Sequence, residues 1–575
     1  MGVHRLRDLD RRGRLLAVLV GALLLVPVAT SVGRALSVDW RPSNDDALIV
    51  LQARDVLSDD PPLVGQPSTA QEYVAGNTAR HPGPIEFYLL ALPVRVLGHT
   101  LGTLLTAAAI AGGAVLVAAW VAYRRGGPAV GLGAAVLLGL AMWSSGTAVL
   151  SDPISSNVGG YPLIAGAALA WALWCDDRRL WPLAVAVWSF TVQQHLAIFG
   201  LAGMVTAWGV AGAVATVLVH RREAGRVAAS LRWGAAAVAV GLACWAPPIL
   251  DQLVGSGNLR RMIAYSRHSD RPTLGLGAGL RAAGRAAAAP PLLLRRELAV
   301  DNQGGWDLTD PLGGDLAGVV VGIVVALGVA GVAAWTWRRS TGDVARRGAE
   351  RLALVGTALV VAGGGAITAA NVPASFEAPR INFYRWVWPV SIAVWGALAW
   401  TVGEALAARR AVTPGRTAAP RWAGVGVGVA LLAVSVAATA TRVEGGDRRR
   451  DEQVFWFERE TEAAVAAAVP SDVPVRLEMI GASAFVAQGP ALGAALIEDG
   501  YDVRVDPELA SHWGERRAAP RSPDEALVQI LSGAGSTPRG EGRLVAEGRL
   551  PREPGGVDNS WNEDTFAVWV RLPEN

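Results

Sequence analysis

The sequence contains no lysine, so arginine carries all of its permanent positive charge. It has only two cysteines, Cys175 and Cys244, and neither belongs to a Cys-x-x-Cys or Cys/His pair. These spacings exclude a disulfide framework and a structural zinc site. The formal net charge of +3 is small for 575 residues and gives no footprint for binding nucleic acid.

What the sequence does contain is long apolar blocks, and hydrophobic residues make up 52% of the chain. A bilayer core of about 30 Å needs roughly 20 apolar residues to span it as a helix. On this scale the sequence predicts a mainly α, polytopic bundle of about eleven spans in the lipid bilayer. The predicted spans are residues 15–36, 101–123, 128–150, 159–175, 180–197, 198–219, 231–250, 315–337, 351–370, 383–405 and 422–440.

The arginines predict the orientation of this bundle. If residues 1–14 are cytoplasmic, arginine-rich connections such as "YRRGG" and "HRREAGR" lie inside, whereas the three short outside connections hold a single arginine. This distribution follows the positive-inside rule. We therefore expect a multi-pass plasma-membrane protein with a cytoplasmic N-terminus and an extracytoplasmic C-terminal region.

Three long segments fall outside the membrane in this topology. Two are loops of the transmembrane domain 1–440, namely residues 37–100 and 251–314. The third, residues 441–575, alternates apolar and polar residues in "VPVRLEM", "YDVRVDP" and "TFAVWVRLP". With helical patterns near 452–469, 484–498 and 523–532, it is predicted to be a small α/β domain.

The loop 37–100 begins with two adjacent carboxylates, Asp45 and Asp46, at the predicted start of a helix. Asn44 is a typical cap, and the apolar residues that follow predict a helix lying in the membrane interface. The acids either cap this helix or form a catalytic or metal-binding site. A second interfacial element is predicted after the turn "HPGP".

The order of parts in residues 15–125 resembles the GT-C superfamily of polyprenyl-phosphate-dependent membrane glycosyltransferases. A first span precedes an acidic pair with Arg54 nine residues after Asp45, and a Pro-Leu-x-Gly segment and "FYLLALPVRVLG" lead to the next span. The likeness is greatest to the protein O-mannosyltransferase and aminoarabinose transferase branch and to actinobacterial cell-envelope transferases. Where those families have Asp-Glu, an aromatic and Lys-Pro-Pro, this chain has Asp-Asp, no aromatic and His81-Pro82-Gly83-Pro84.

This resemblance implies transfer of a sugar from a polyprenyl-phosphate donor to an extracytoplasmic hydroxyl of a glycan, lipid or protein, with inversion. Asp45 matches the position of the family's catalytic carboxylate, and Asp46 is its neighbour. A carboxylate that takes the acceptor's proton can contribute about 10²–10⁴-fold. The resemblance specifies no cofactor. A divalent metal stays open, with His81 as a candidate ligand beside the acids.

Arginines at the predicted outer face are candidates for binding the donor phosphate, because the guanidinium fork matches phosphate oxygens. Arg380 and Arg385 stand among aromatic residues near the tenth predicted span, and Arg260 and Arg261 stand in the loop 251–314. The alternatives are interface anchors for the first pair and a solvated basic loop for the second.

Other polar residues at the outer ends of spans are expected to face a cavity, since facing lipid is costly. The candidates for binding substrate are Arg54, His81, Gln193, Gln194, His195 and Asp152. Hydrogen bonds between helices are the alternative for the glutamines and His195. A turn that ends a helix is the alternative for Asp152, which precedes a proline.

The sequence also allows two other classes of function. A transporter or flippase of lipid-linked saccharides would need polar residues through the bilayer midplane, and many transporters carry internal repeats, which this sequence lacks. A non-catalytic cell-envelope assembly protein would instead work through its C-terminal domain.

Overall fold

The structure is a computed structural model. It describes residues 9–68, 79–268, 272–288, 291–294, 320, 328, 330–334, 338, 342–374, 383–412, 421–441, 448–550 and 564–573. Most of the predicted span 315–337 and the candidate Arg380 lie outside the described residues.

Long helices form most of the chain up to residue 441, as predicted. In chain order they are α1 Arg11–Ser37, α2 Asn44–Asp55, α3 Ile85–Gly126, α4 Pro128–Ser145, α5 Ser155–Val158, α6 Gly160–Trp174, α7 Trp181–Gln194, α8 Leu196–Val219, α9 Ala224–Val254, α10 Asn258–His268, α11 Gly275–Ala287, α12 Gly342–Ala370, α13 Val387–Val412 and α14 Arg421–Thr441. Within the described ranges, eight helices are long and apolar enough to cross a membrane, namely α1, α3, α4, α8, α9, α12, α13 and α14. The chain is therefore a multi-pass membrane protein, whereas α6 and α7 have 15 and 14 residues and fall below that length.

The main core of the bundle lies between α6, α8, α12 and α13, where alanines and valines surround several tryptophans. At the end of the bundle where α3 turns into α4, buried arginines pair with carboxylates. Arg124 binds Asp177 through two hydrogen bonds of 2.6 and 2.8 Å, and Arg125 binds Glu350 at 2.7 Å. These pairs join the ends of helices at the side that the arginine count predicts to be cytoplasmic.

Helix α3 consists of two helices joined at a kink. Gly98 has φ of +80°, a conformation that L side chains rarely adopt, and a Cβ on Gly102 would lie 2.5 Å from the carbonyl oxygen of Pro93. The half before the kink leaves apolar side chains uncovered, with Leu92 65% and Val96 68% exposed. An apolar face of this kind fits the second interfacial element predicted from the sequence.

The C-terminal region is a small α/β domain, as predicted. Its helices are α15 Arg448–Ala468, α16 Gly489–Glu498 and α17 Ala510–Trp513, and its strands are β1 Val475–Ile480, β2 Val503–Arg504, β3 Ala526–Ser532, β4 Arg543–Arg549 and β5 Thr565–Arg571. The strand order is β2-β1-β3-β5-β4, with β1 parallel to β2 and β3, and β5 antiparallel to β3 and β4. The helix predicted at 523–532 is wrong, because this segment forms the central strand β3. All seven β3 residues are buried, and a fully buried strand has no alternation to distinguish it from a buried helix.

The sequence suggested that helix α2 lies with an open apolar face on the membrane. The structure does not place it there. Nine of its twelve residues are buried. Ile49, Val50 and Ala53 pack on the first half of α3, whereas Leu48 and Leu51 belong to the core of the C-terminal domain. The C-terminal domain therefore covers the face that was expected to contact lipid.

Candidate functional site

The acidic pair lies at the first turn of α2, where the backbone changes direction sharply. Ser43 is the N-cap, one residue before the predicted cap, and it makes no side-chain capping bond. Asn44 follows with φ of +49°, a conformation that asparagine tolerates better than most residues. This turn directs Asp45 and Asp46 away from the apolar faces of the helix.

Four carboxylates meet at this turn and form what we call the carboxylate cluster: Asp45, Asp46, Glu86 and Asp152. Asp46 is 9% exposed, and its Oδ1 atom has no hydrogen-bond partner. Burial raises the pKa of Asp46 well above its ordinary value, and the charges of Asp152, Asp45 and Glu86 raise it further. Both burial and the neighbouring carboxylates therefore disfavour the charged form of Asp46.

Asp45 differs from Asp46 because Asp45 is exposed to solvent. Even so, burial is the largest cause that raises the pKa of Asp45, and the charge of Asp152 adds to it. The two observations agree if Asp45 stands in a recess, open on one side and surrounded by protein on the others. A carboxylate of this kind is reachable by a substrate and is a stronger base than an aspartate in water.

Asp152 connects the cluster to the helical bundle. Its Oδ1 accepts a hydrogen bond from the Ile154 amide at 2.8 Å, and its Oδ2 accepts one from the Asn157 side chain at 2.6 Å. These bonds fit the turn that the sequence allowed as an alternative. The same carboxylate is close enough to Asp45 and Asp46 to raise the pKa of both.

Arg385 is the cation that faces this group. It lies in the turn before α13, is buried, and holds its guanidinium 5.8 Å from the centre of the Trp388 ring. Burial lowers the pKa of Arg385 to about 10, while Asp152 and Tyr161 act in the opposite direction. The structure thus brings Asp45, Asp152 and Arg385, all predicted as site residues, to one place.

His81 and His195 form a second part of the site. Their ring centres are 4.5 Å apart, and the Phe383 ring meets His195 at 6.1 Å. Burial lowers the pKa of His195 to about 4 and the pKa of His81 well below its ordinary value, so both rings are neutral at pH 7. The His81 amide donates to the carbonyl of Gln66, whose side chain donates to the Asp45 carbonyl at 3.1 Å.

The two glutamines predicted to bind substrate have different environments. Gln194 donates to the Phe190 carbonyl of its own helix at 3.1 Å. Gln193 donates to the Cys244 carbonyl at 2.8 Å, which is the hydrogen bond between helices that the sequence offered as an alternative. However, the Oε1 atom of Gln193 has no partner, and a Cβ on Gly83 would come within 2.1 Å of it. The glycine of "HPGP" therefore lets this turn pack directly on Gln193.

Three predicted site residues lie apart from the carboxylate cluster. Arg54 bonds to the His99 ring at 3.0 Å, at the opposite end of α2 from Asp45. Arg260 and Arg261 lie on α10, where Arg260 is exposed and Arg261 is half-buried. Arg261 is near Arg80, whose pKa it helps to lower, although burial is the main cause.

Glu86 was not identified from the sequence, although it is 4% exposed and belongs to the cluster. A signal was available, because Glu86 is the lone acid in the apolar stretch "IEFYLLALP", and an acid in such a segment usually has a function. Tyr161 and Gln66 were missed as well. Their proximity to the site depends on how α6 and the loop fold, and no local pattern marks it.

Among the described residues, no group of three or more His, Cys, Asp or Glu side chains is arranged to hold a metal ion. The proposed pairing of His81 with the acids as metal ligands gains no support from the geometry, since the His81 Nδ1 instead faces the Leu196 amide at 3.4 Å.

Comparisons with known proteins give a distant structural likeness. No family model matches the sequence, and no curated protein matches it either. Among solved structures, the chain is similar to ArnT from Cupriavidus metallidurans bound to undecaprenyl phosphate, with 13% identity, 98% of each chain covered and a TM-score of 0.46. The same protein in the apo state gives 13% identity, 98% coverage of each chain and a TM-score of 0.44.

Proposed function

We propose that this protein is a membrane glycosyltransferase that moves a sugar from a polyprenyl-phosphate donor to an extracytoplasmic hydroxyl acceptor, with inversion. One observation carries the proposal: an accessible carboxylate, Asp45, and a buried cation, Arg385, both lie within electrostatic reach of Asp152. A base and a phosphate ligand at the boundary of a helical bundle are the groups that this reaction needs.

Asp45 acts as the general base. The acceptor hydroxyl is a weak nucleophile until its proton is removed, and the accessible side of Asp45 allows the hydroxyl to approach. The oxygen then attacks the anomeric carbon as the bond to the lipid phosphate breaks, which inverts the configuration. The raised pKa of Asp45 brings the base closer to the operating pH, where proton transfer is most efficient.

Arg385 stabilises the phosphate that leaves. A guanidinium keeps its charge even when burial lowers its pKa to about 10, so it is available to a phosphate at neutral pH. Its planar fork can bind two phosphate oxygens. Arg380, outside the described residues, remains a predicted second ligand, and Arg260 and Arg261 remain predicted ligands on α10.

The arginine distribution favours an extracytoplasmic position for this site, and we include that orientation in the proposal. Nucleotide sugars are absent there, which favours a lipid-linked donor. The neutral rings of His81 and His195, together with Gln193, are proposed to bind the sugar hydroxyls, since Gln66 connects the His81 backbone to that of Asp45.

The test is transfer from a radiolabelled polyprenyl-phosphate sugar by purified protein in which Asp45→Asn is compared with Asp59→Asn. Asp59 is exposed just after α2 and serves as the matched control. We expect Asp45→Asn to lose about 10²–10⁴-fold in rate, with donor binding and folding retained. Wild-type activity in Asp45→Asn would remove the assignment of the base. Movement of the lipid-linked sugar across vesicles without glycoside formation would favour a flippase instead.

A further inference from the structure

The far end of α2 is fixed by the C-terminal domain. Asp55, the last residue of the helix, receives two hydrogen bonds from Arg517, at 2.6 Å from Nη1 and 2.8 Å from Nη2. Arg517 also donates to the carbonyls of Trp513 at 2.7 Å and Leu51 at 3.4 Å. Both members of the ion pair are buried, so the pair is a specific contact between distant parts of the chain.

The backbone around this ion pair is shaped for a close approach. Gly514 has φ of +87°, and a Cβ there would lie 2.9 Å from Asp55 Oδ2. Two residues earlier in the domain, the carbonyl of His512 accepts a hydrogen bond from Gln52 at 3.3 Å. The segment 512–517 therefore follows the last turn of α2 along its side.

Apolar packing extends this contact toward the N-terminal end of the helix. Ala47, Leu48 and Leu51 are counted among the buried residues of the domain's own core, which also contains Trp513 and residues of β1 and β3. A helix of twelve residues is marginal in water by itself. Its conformation therefore depends on the two surfaces that enclose it, the first half of α3 and the C-terminal domain.

We propose that Arg517 is a positioning residue that holds α2, and through it Asp45, in the geometry required for transfer. The C-terminal domain is on this view a structural part of the catalytic centre rather than a separate acceptor-binding module. The inference rests on the proposed function, because it assigns Arg517 to the reaction of Asp45. Ten residues of helix separate Asp45 from Asp55, a rise of about 15 Å, so Arg517 acts through the helix and not on the substrate.

The chain offers a matched control for this ion pair. Arg459 on α15 binds Asp39, just after α1, at 2.6 Å. This contact also joins the domain to the loop 37–100, but both side chains are exposed, and neither touches α2. Exposed pairs of this kind contribute little to stability. Substitution of Arg459 therefore removes a contact between the same two regions without loosening the helix.

The experiment compares Arg517→Lys with Arg459→Lys in the full-length protein. Lysine keeps the charge but lacks the planar fork that donates two parallel hydrogen bonds to Asp55, so the helix end is loosened while the fold is retained more readily than with alanine. Two quantities are measured: hydrogen exchange of the backbone amides of α2, and kcat and KM for a polyprenyl-phosphate sugar and its acceptor.

For Arg517→Lys we expect at least tenfold faster amide exchange in α2 and at least tenfold lower kcat, with both KM values within threefold of wild type. The acidic limb of the pH–rate profile should move to lower pH, because a loosened α2 admits water to Asp45. A double variant that exchanges the partners, Asp55→Arg with Arg517→Asp, should recover part of the kcat that Arg517→Lys loses. Arg459→Lys should change none of these values.

Unchanged exchange and unchanged kcat in Arg517→Lys would overturn the inference. A rise in acceptor KM at constant kcat would also overturn it, because that result assigns the domain to acceptor binding. If the wild-type protein transfers no sugar, the proposed function fails and Arg517 has no reaction to serve, while amide exchange still decides whether it holds α2. The two failures are therefore distinguishable.

Discussion

The two ends of helix α2 carry the same residue type in opposite circumstances. At the C-terminal end, both carboxylate oxygens of Asp55 are bonded to the buried guanidinium of Arg517. At the N-terminal end, Asp46 is also buried, but its Oδ1 has no partner, and the charges that raise its pKa are those of further carboxylates. One aspartate is fully satisfied, whereas the other is held in an unfavourable environment by the rest of the fold.

This difference separates residues that stabilise the fold from residues that serve a reaction. A buried charge without a partner costs free energy, and folds retain such groups mainly at functional sites. Under the proposed function, the satisfied end of α2 supplies the rigidity and the unsatisfied end supplies the chemistry. The comparison predicts that substitutions at the two ends have opposite effects on stability and activity.

The largest expected effect on stability is at the satisfied end. Asp55→Asn leaves the buried Arg517 without its counter-charge, which should lower the free energy of unfolding by about 3–5 kcal/mol. Asp46→Asn removes a carboxyl group whose charged form is disfavoured by burial and by its neighbours, so it should leave stability unchanged or raise it. Thermal unfolding of both variants in the same detergent measures the contrast. Equal losses in the two variants would contradict the distinction between the ends.

The next effect is expected on kcat, at Arg385, the cation near the N-terminal end of α2. Arg385→Gln should lower kcat by about 10²–10³-fold, the usual result of removing one group that stabilises developing charge. The kcat of Arg385→Lys should lie between those of Arg385→Gln and wild type, since lysine keeps the charge but lacks the planar fork of the guanidinium. Steady-state transfer assays give both values. Activity near wild type in Arg385→Gln would exclude a role in binding the phosphate.

A smaller effect is expected in the pH dependence of transfer. The base must be ionised to act, and burial and the charge of Asp152 both raise the pKa of Asp45. Activity should therefore fall as the pH drops through a value above the ordinary aspartate pKa of about 3.9. Asp152→Asn removes one of the charges that raise this pKa. In a pH profile of kcat/KM, the acidic limb of Asp152→Asn should therefore lie at lower pH than that of wild type. An unchanged limb would contradict the electrostatic coupling between Asp152 and Asp45.

A further prediction tests an unsatisfied carboxylate outside the site. Glu458 on α15 is buried, neither oxygen has a hydrogen-bond partner, and burial raises its pKa to about 8 despite the opposing charge of Arg41. The folded protein therefore keeps a proton that the unfolded chain releases near 4.5. The resulting stability is fully present below pH 4.5 and is lost as the pH rises toward 8.

The slope from this one group is about 1.4 kcal/mol per pH unit within that range. Glu458→Gln cannot titrate, so its unfolding midpoint should change less between pH 5 and pH 8 than that of wild type. If the two proteins show the same pH dependence, Glu458 does not bind the proton.

The sequence predicted the features that local patterns encode. Apolar runs predicted the helical bundle, and the two acids marked the start of α2 to within one residue. It could not predict that α2 is buried by the C-terminal domain, because Asp55 and Arg517 are 462 positions apart and no local pattern links them. The apolar face of α2 looks the same whether lipid or protein covers it.

Two further differences have the same origin. The segment 523–532 was predicted as a helix, and only the place of residues 526–532 in the middle of the sheet makes them a strand. Glu86 joins the cluster because the first half of α3 packs beside α2. The chemistry of Asp45 could be proposed from its neighbours in sequence, but its electrostatic environment depends on distant segments.

The enclosure of α2 also has a consequence for biosynthesis. Leu48 leaves the ribosome early, whereas Arg517 is made 469 residues later, which at 5–20 residues per second takes roughly 20 to 90 s. During this interval one apolar side of α2 is uncovered, and Asp45 has no fixed position. Chains that terminate before the last strands would insert most of their spans yet lack an assembled centre. The proposed centre would therefore be assembled only after the C-terminal domain has been made.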